Sequence, residues 1–401
     1  MLTNRQLFLQ HVGQCSDYPL SIEISRAQGV YMYAPDGKRY IDLVSGVSVS
    51  NLGHGHPKVC QAVKDQVDKY MHLMVYGEFI ETPQIKLAKM MADILPPTLN
   101  ATYFVNSGSE ANEGAMKLAK RYTGRSEIVA FKHGYHGSTH GALSILGDEE
   151  MKNAFRPLLP DIRLLSFNCE EELQQITTRT ACVVVEPIQA EAGFILPKND
   201  FLIKLRKRCD QVGALLVFDE VQMGFGRTGK LFAFEHYGIV PDILTLAKAM
   251  GGGMPIGAFI AEKKIMDTFK TNPVLGHITT FGGHPVCCAA ACAALEVLLE
   301  EHIVEDVQRK GDLFISILKD HPAITTYRNL GLFTAVEVDT PQLLERIIYH
   351  ALDLGVMMDP FLFYSNAFRI APPLNIKDSE IEEASKLLIE AMDRALEEQK
   401  G

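Results

Sequence analysis

Seven short apolar runs, each closed by polar or glycine residues and followed by a longer amphipathic stretch, recur between residues 100 and 262. Each run is continuously apolar, which is typical of strands that are covered on both faces. Such strands, alternating with helices, build a mostly parallel sheet flanked by helices. We therefore predict an α/β fold with one seven-stranded, mostly parallel sheet, its strands at 102–105, 128–131, 162–166, 182–185, 215–218, 243–246 and 256–260.

The pattern changes after about residue 300. Two short strands and a closing amphipathic helix are predicted there, at 332–339, 368–374 and 379–399. Near the amino terminus, Asp36-Gly37 is typical of a hairpin turn. The predicted organisation is an N-terminal segment that packs with the small domain (1–55), a large domain (56–300) and a small C-terminal α+β domain (301–401).

The composition argues against several classes of protein. With 39 basic against 49 acidic residues and no long Lys/Arg run, we expect no nucleic-acid partner. No segment reaches the roughly 18 consecutive apolar residues of a membrane span, and the first twenty residues lack a signal-peptide pattern. The eight cysteines form no CxxC pair, which indicates reduced thiols. We expect a cytoplasmic protein that makes no contact with a membrane.

Small residues follow the first predicted strand of the sheet. Ligands bind outside the carboxyl ends of parallel strands, so the first polar residues after each run are the candidates. After 102–105 comes Asn106-Ser107-Gly108-Ser109, which opens a helix and would aim free N–H groups at an anion such as a phosphate. The alternative is an ordinary helix cap made by Ser109 and Asn112. No Gly-Lys-Ser/Thr is present in this motif, so ATP is not implied.

A carboxylate and an amine follow two further strands. Asp219 comes directly after 215–218, where a buried acid needs a cationic partner, and a protonated pyridine nitrogen is one that keeps such a ring an electron sink. Lys248 lies two residues past 243–246, and burial would free its amine to form an imine with an aldehyde. If each residue is considered alone, Asp219 could instead cap a helix or turn, and Lys248 could instead be a solvated lysine. Together with the phosphate turn, the two residues favour cofactor chemistry.

The sequence resembles the class III (ornithine and acetylornithine type) pyridoxal 5′-phosphate (PLP)-dependent aminotransferases of fold type I. The resemblance covers essentially the whole chain. It rests on GHGHP (53–57), NSGSEANE (106–113), GYHG (134–137), EPIQAEAG (186–193), LLVFDEVQMGFGRTGK (215–230), PDILTLAKAMGGGMPIGA (241–258), TTFGGHP (279–285) and FRIAPPL (368–374).

The resemblance implies a role for each matching position. The catalytic residues would be Lys248, which holds PLP as a Schiff base, Asp219 at the pyridinium nitrogen and Glu186 near the ring. The cofactor would also be bound by Ser107, Gly108 and Ser109 at the phosphate, Tyr135 on the ring face, His136, Gln222 at the ring oxygen, and Thr280 from the second subunit. The resemblance therefore implies a homodimer in which both chains form each active site.

Glu191 and Arg369 resemble the switch pair of this family. An arginine fork suits the α-carboxylate of 2-oxoglutarate, whereas a terminal amine donor has no carboxylate to place there. Pairing with Glu191 would then avoid an unpaired buried charge, and moving Glu191 aside would admit the acid. A plain surface salt bridge is the alternative.

The motif of the donor site departs from the family. Ser138 stands where an arginine would hold the distal carboxylate of the donor, and Asp17 and Val47 stand where ornithine aminotransferases have tyrosines. A diamine, a β- or γ-amino acid or another amino acid is open as the donor. Candidate contacts are Tyr76, Glu78 and Lys132.

We expect a ping-pong transamination from an amine donor to 2-oxoglutarate, which yields glutamate. A PLP-dependent aminomutase or amino-acid racemase is the alternative within catalysis, and a catalytically silent binding protein is the alternative outside it. We expect no metal site, because no carboxylate or cysteine partner recurs with the histidines at 54, 56, 133, 136 and 140.

Overall fold

The computed structural model describes residues 2–400. Its helices are α1 (Asn4–His11), α2 (Ser45–Ser48), α3 (Pro57–Lys69), α4 (Thr82–Ile94), α5 (Gly108–Thr123), α6 (His140–Ile145), α7 (Phe201–Val212), α8 (Lys263–Met266), α9 (Pro285–Glu300), α10 (Val307–Leu318), α11 (Pro341–Leu354) and α12 (Asp378–Lys400). Its strands are β1 (Arg26–Gln28), β2 (Tyr31–Tyr33), β3 (Arg39–Asp42), β4 (Ala101–Val105), β5 (Glu127–Phe131), β6 (Ile162–Leu165), β7 (Thr180–Val185), β8 (Leu215–Asp219), β9 (Ile243–Leu246), β10 (Gly257–Ala261), β11 (Ile324–Asn329), β12 (Thr334–Val338), β13 (Val356–Met357), β14 (Asp359–Phe361) and β15 (Tyr364–Ile370).

The central sheet has seven strands in the order β4-β10-β9-β8-β7-β5-β6. The strands from β9 to β6 are parallel to one another, and β10 runs antiparallel to both of its neighbours. Every residue of β5, β7, β8, β9 and β10 is buried, as their continuous apolar sequences require. The predicted α/β fold is therefore confirmed, and each predicted strand lies within two residues of its expected limits.

Helices cover both faces of this sheet. Helix α5 begins after Ser107, whose side chain accepts a hydrogen bond from the Glu110 N–H, and it ends at Gly124, which has a left-handed φ of 69°. Helix α9 is buried along most of its length and packs against α3, α4 and the short helical turn that begins at Lys248. Helices α5 and α9 therefore pack close to the carboxyl ends of the strands, where Lys248 lies.

Two smaller four-stranded sheets complete the fold. One has the order β11-β12-β15-β14, and the other, β1-β2-β3-β13, joins the N-terminal hairpin to a late strand through parallel pairing of β3 with β13. Helix α12 packs against α10 and α11 through its buried apolar stripe, Ile381, Ala384, Leu388, Ala391 and Ala395. The limits of the three parts at residues 55 and 300 stay a prediction.

Other features of residues 2–400 bear on the function. None of the helices there combines the length and the apolar character that crossing a bilayer requires. All eight cysteines are free, and five of them are buried. No cluster of three or more His, Cys, Asp or Glu side chains in this part of the chain has the arrangement of a metal site.

Candidate active site

One cavity of about 430 Å³ lies where β4, β8 and β9 end. Its size is typical of a small-molecule site. It is lined by nine of the ten predicted catalytic and cofactor-binding residues, namely Ser107, Gly108, Ser109, Tyr135, His136, Glu186, Asp219, Gln222 and Lys248. The chain therefore gathers an amine, two carboxylates and a helix N-terminus around one space.

Lys248 lies just past β9 in a left-handed backbone conformation, with φ of 48°. Its Nζ donates a hydrogen bond to Oε1 of Gln222 at 3.1 Å. Burial lowers the pKa of Lys248, the positive charge of Arg369 lowers it further, and the carboxylates of Glu191, Asp219 and Glu186 oppose that change. A larger fraction of this amine is therefore neutral and nucleophilic than of a solvated lysine.

Asp219 is held by donors on both carboxylate oxygens. Its Oδ2 accepts hydrogen bonds from Nδ2 of Asn112 at 2.7 Å and from Nδ1 of His136 at 2.8 Å, and its Oδ1 accepts one from the Val221 N–H at 3.0 Å. Burial opposes a charge on His136, but the hydrogen bond to Asp219 and the charges of Asp219 and Glu186 prevail and raise the pKa of that imidazole. The carboxylate thus has a fixed direction at the edge of the cavity.

Sequence reasoning missed the role of Asn112, which it treated only as a possible cap. The carboxamide of Asn112 is oriented from behind by the Thr245 hydroxyl, which donates to its Oδ1 at 2.9 Å. Asn112 lies one turn after Ser109 and four residues after Gly108, on the helix face that carries the turn. That spacing was the signal that could have found it.

Glu186 follows β7 and is 6% exposed. It accepts hydrogen bonds from the N–H groups of Tyr135 and Ala190, both at 3.0 Å. Burial raises the pKa of its carboxyl to about 7, and the charge of Asp219 adds to that rise, while His136 opposes it. Glu186 can therefore exchange a proton near neutral pH.

We predict that Glu186→Gln changes how the stability of the cofactor-free protein depends on pH. The folded protein holds a proton on Glu186 up to about pH 7. The unfolded chain releases it near pH 4.5, so this stabilising contribution is complete below about 4.5 and lost as the pH rises through about 7. Relative to E186Q, the native protein should lose at most about 3 kcal/mol of unfolding free energy between pH 5 and pH 8.

Urea unfolding of both proteins at pH 5 and pH 8 measures this difference. Glu150, which is exposed, provides the control variant E150Q, since water solvates that side chain in both states. Parallel pH profiles for native protein and E186Q would contradict the prediction.

The turn before α5 is capped by Ser107, not by Ser109 or Asn112 as the alternative had it. The Oγ of Ser109 instead bonds to Oγ1 of Thr139 at 2.8 Å. A Cβ at Gly108 would lie 2.7 Å from Cγ1 of Val221, so only glycine fits there. The first N–H groups of this 16-residue helix have no intrahelical acceptor, and they border the cavity, as an anion site requires.

Two polar atoms in the cavity wall are buried and unpaired. Nε2 of Gln222 and Nε2 of His136 have no hydrogen-bond partner within residues 2–400. Leaving a buried donor unpaired costs free energy, so a group bound in the cavity is expected to satisfy Gln222. An aromatic ring with an oxygen near Gln222, a ring nitrogen near Asp219, an aldehyde near Lys248 and a phosphate at α5 fits the residues present.

Glu191 and Arg369 lie outside the lining of the cavity but act on it. Nη1 of Arg369 donates to Oε1 of Glu191 at 2.7 Å. Burial acts to raise the pKa of Glu191, but the charge and hydrogen bond of Arg369, with a smaller contribution from the charge of Lys248, lower it. Because Arg369 is 2% exposed, this pair is not the surface salt bridge of the alternative. Asp359, which the sequence did not single out, also binds Arg369, with distances of 3.0 and 2.8 Å.

Thr280 and the donor candidates lie away from this cavity. Thr280 is exposed, on a segment that also exposes Val274, Leu275, Ile278 and Phe281. Tyr76 borders a separate cavity, Glu78 is exposed, and Nζ of Lys132 donates to Ser166 at 3.2 Å on the surface. Ser138 does line the cavity, and its hydroxyl lies 3.2 Å from that of Tyr135.

The sequence is similar to enzymes of known activity. The model of the class-III aminotransferase family matches residues 13–392. The acetylornithine aminotransferase of Methanopyrus kandleri is 39% identical over 387 residues, which cover 95% of this chain and 96% of the relative. The LysW-aminoadipate semialdehyde/glutamate semialdehyde transaminase of Sulfurisphaera tokodaii is 37% identical over 373 residues, 91% of this chain and 93% of the relative.

Solved structures show the same fold. A transaminase from Virgibacillus superposes with a TM-score of 0.92 at 28% identity, covering 98% of this chain and 99% of the other. The ornithine aminotransferase of Toxoplasma gondii superposes with a TM-score of 0.90 at 29% identity, covering 100% and 96%, and it holds PLP at partial occupancy in its active site.

Proposed function

This chain belongs to the class III aminotransferases, a family of PLP-dependent enzymes, and we propose that it transfers the terminal amino group of a small amine donor to 2-oxoglutarate. The observation that carries the proposal is the common cavity of Lys248 and Asp219, with Arg369 buried behind it. When bound, PLP supplies an electron sink that stabilises a carbanion at the amine carbon.

Each residue of the cavity has a proposed part. The amine of Lys248 would hold the cofactor at its aldehyde group, and the same amine would serve as the base that moves a proton. Asp219 would keep the ring nitrogen protonated, and Tyr135 would cover the ring. The N-terminus of α5, with Gly108 and Ser109, would hold the phosphate. Glu186 and His136 would fix the surroundings of the ring, and Gln222 would bind its oxygen.

Arg369 supports the choice of a 2-oxo acid as acceptor, because it would receive the α-carboxylate. A buried guanidinium binds a carboxylate through parallel hydrogen bonds, and here it lies beside a carboxylate, Glu191, that a substrate could replace. With a donor that has no carboxylate at that end, Glu191 stays in place and keeps the charge paired. One site thus accepts two unlike substrates in turn.

The acceptor is tested by single-turnover kinetics on enzyme already loaded with the amino group of a donor. We predict that 2-oxoglutarate restores the starting absorbance and that pyruvate does not. Arg369→Lys keeps a charge but loses the fork, and should raise the KM for 2-oxoglutarate about 10- to 100-fold while changing the donor half-reaction less. Reoxidation by pyruvate alone would contradict this acceptor, and a product that kept the donor nitrogen would favour an isomerase.

The names of the relatives indicate the class of donor. The relatives are named for acetylornithine and for semialdehydes, and an aldehyde at the end of a chain corresponds to a terminal amine, so we propose a donor with a terminal amine. Ser138 and Tyr135 line the cavity with hydroxyls that lie 3.2 Å apart, and we propose that they face the donor in place of a guanidinium. A panel of diamines, ω-amino acids and N-acylated ornithine, scored by the change in cofactor absorbance, identifies it.

A homodimer with shared active sites is also part of the proposal. Four apolar side chains beside Thr280 are exposed by half or more, namely Val274, Leu275, Ile278 and Phe281. Apolar surface of this kind is typical of an interface between proteins.

We also propose that the protein is cytoplasmic, and its free cysteines support that compartment.

A further inference from the structure

Three charged side chains meet behind the cavity. The guanidinium of Arg369 donates from Nε and Nη2 to the two oxygens of Asp359, at 3.0 and 2.8 Å, and from Nη1 to Glu191 at 2.7 Å. Asp359 therefore binds the Nε–Nη2 edge of the guanidinium with two hydrogen bonds, and Glu191 binds Nη1 at the other end with one. One positive charge is shared between two carboxylates.

The two carboxylates differ in how firmly the chain holds them. Asp359 on β14 lies directly opposite Arg369 on β15 in the antiparallel pair, so strand pairing fixes its backbone beside the arginine. Glu191 lies in the connection between β7 and α7, and besides Arg369 its carboxylate accepts only a 3.2 Å bond from the Leu362 N–H within residues 2–400. Glu191 is thus the partner that can move.

Movement of Glu191 raises an electrostatic problem. Removing one partner from a buried ion pair leaves a charge without compensation, which is strongly unfavourable. Arg369 is 2% exposed, so water cannot replace Glu191 easily. With Asp359 in place, the guanidinium keeps both a counter-charge and its orientation while its other end is free for a substrate carboxylate.

We propose that Asp359 is a positioning residue, the permanent counter-ion of Arg369, which allows Glu191 to leave and moderates how tightly Arg369 holds the carboxylate of the acceptor. The inference rests on the proposed function, since it assumes that Arg369 receives a substrate carboxylate. It adds a third member to the pair that sequence reasoning identified.

A double-mutant cycle on the PLP-loaded enzyme tests this. The probe is glutarate, a dicarboxylate of the same length as 2-oxoglutarate but without the reactive carbonyl, and its Kd is measured by calorimetry. In Glu191→Gln only Asp359 still shares the charge of Arg369, so adding Asp359→Asn leaves that charge to the ligand and should tighten glutarate binding about tenfold. With Glu191 present, D359N strengthens both competitors for Arg369, and the Kd should change less than about threefold.

Two variants serve as controls. Asp359→Glu keeps the charge. With Glu191 or with E191Q, it should leave the Kd for glutarate within about threefold of the value measured without the Asp359 substitution. Glu337→Gln removes the carboxylate of another cross-strand arginine pair in this sheet, with Arg328 at 2.9 Å, and should leave glutarate binding unchanged. Thermal unfolding of each variant shows whether any loss reflects folding.

Two results would overturn the inference in different ways. An equal effect of D359N on both backgrounds, or none on either, would reduce Asp359 to a strand contact and leave the acceptor proposal intact. Failure of glutarate to bind any variant, E191Q included, would overturn the dicarboxylate acceptor and the role of Asp359 with it.

Discussion

Lys248→Ala should lower the rate of transamination by at least about 10⁴-fold. Alanine removes both the proposed nucleophile for the cofactor and the proposed base, and no other lysine lines the cavity within residues 2–400. The visible absorbance of the covalently attached cofactor should disappear as well, even though the phosphate and ring contacts remain. Steady-state assays and an absorbance spectrum of the purified variant measure both effects.

Two further measurements separate chemistry from folding. Lys230, which belongs to a neighbouring motif but is exposed and lies outside the cavity lining, gives the control K230A with native rate and spectrum. A small external amine such as ethylamine should restore part of the rate of K248A, because it can enter the space that the side chain leaves. Native turnover in K248A would remove the basis of the proposed mechanism.

Asp219→Asn should reduce kcat by about 10²- to 10³-fold. Asparagine fills the same space and can still accept a hydrogen bond from the Val221 N–H, but it lacks the negative charge that we propose keeps the ring nitrogen protonated. PLP should also dissociate more readily, by about 10- to 100-fold in Kd, because a charge-assisted bond is lost. Rapid kinetics and dialysis against excess phosphate measure the two effects separately.

Asp242 provides a matched control for this variant. It precedes β9, at the opposite end of the sheet from the cavity, and accepts bonds from Arg206 and from the Leu216 N–H, both at 2.7 Å. D242N should therefore lower stability while leaving kcat and PLP affinity native. If D219N behaved like D242N, Asp219 would be a structural residue only.

The positions of Lys248 and Asp219 could be predicted from sequence because they depend on a local pattern. A continuous apolar run identifies a buried strand, and its first polar residue lies at the sheet edge where ligands bind. The pairing of Glu191 with Arg369 came from resemblance alone, since the two are 178 residues apart.

Other contacts depend on long-range packing, which the local pattern of apolar runs does not specify. Asp359 faces Arg369 only because β14 and β15 pair in one register, which shifts between Pro360 and Phe361. The contact of Asn112 with Asp219 requires α5 to pack across strands that are distant in sequence. The donor candidates Tyr76, Glu78 and Lys132 were chosen by their chemistry alone, without information on where their side chains lie. All three lie outside the lining of the Lys248 cavity.

The left-handed backbone at Lys248 bears on how this enzyme tolerates substitution. A side chain with a Cβ costs roughly 1 kcal/mol in that conformation, which glycine adopts freely. A variant with glycine at this position would relieve that strain and lose the amine. The residue that best suits this backbone conformation is therefore an inactive one. A screen that selects variants only by thermal unfolding would favour inactive substitutions at this residue, so position 248 must be held constant.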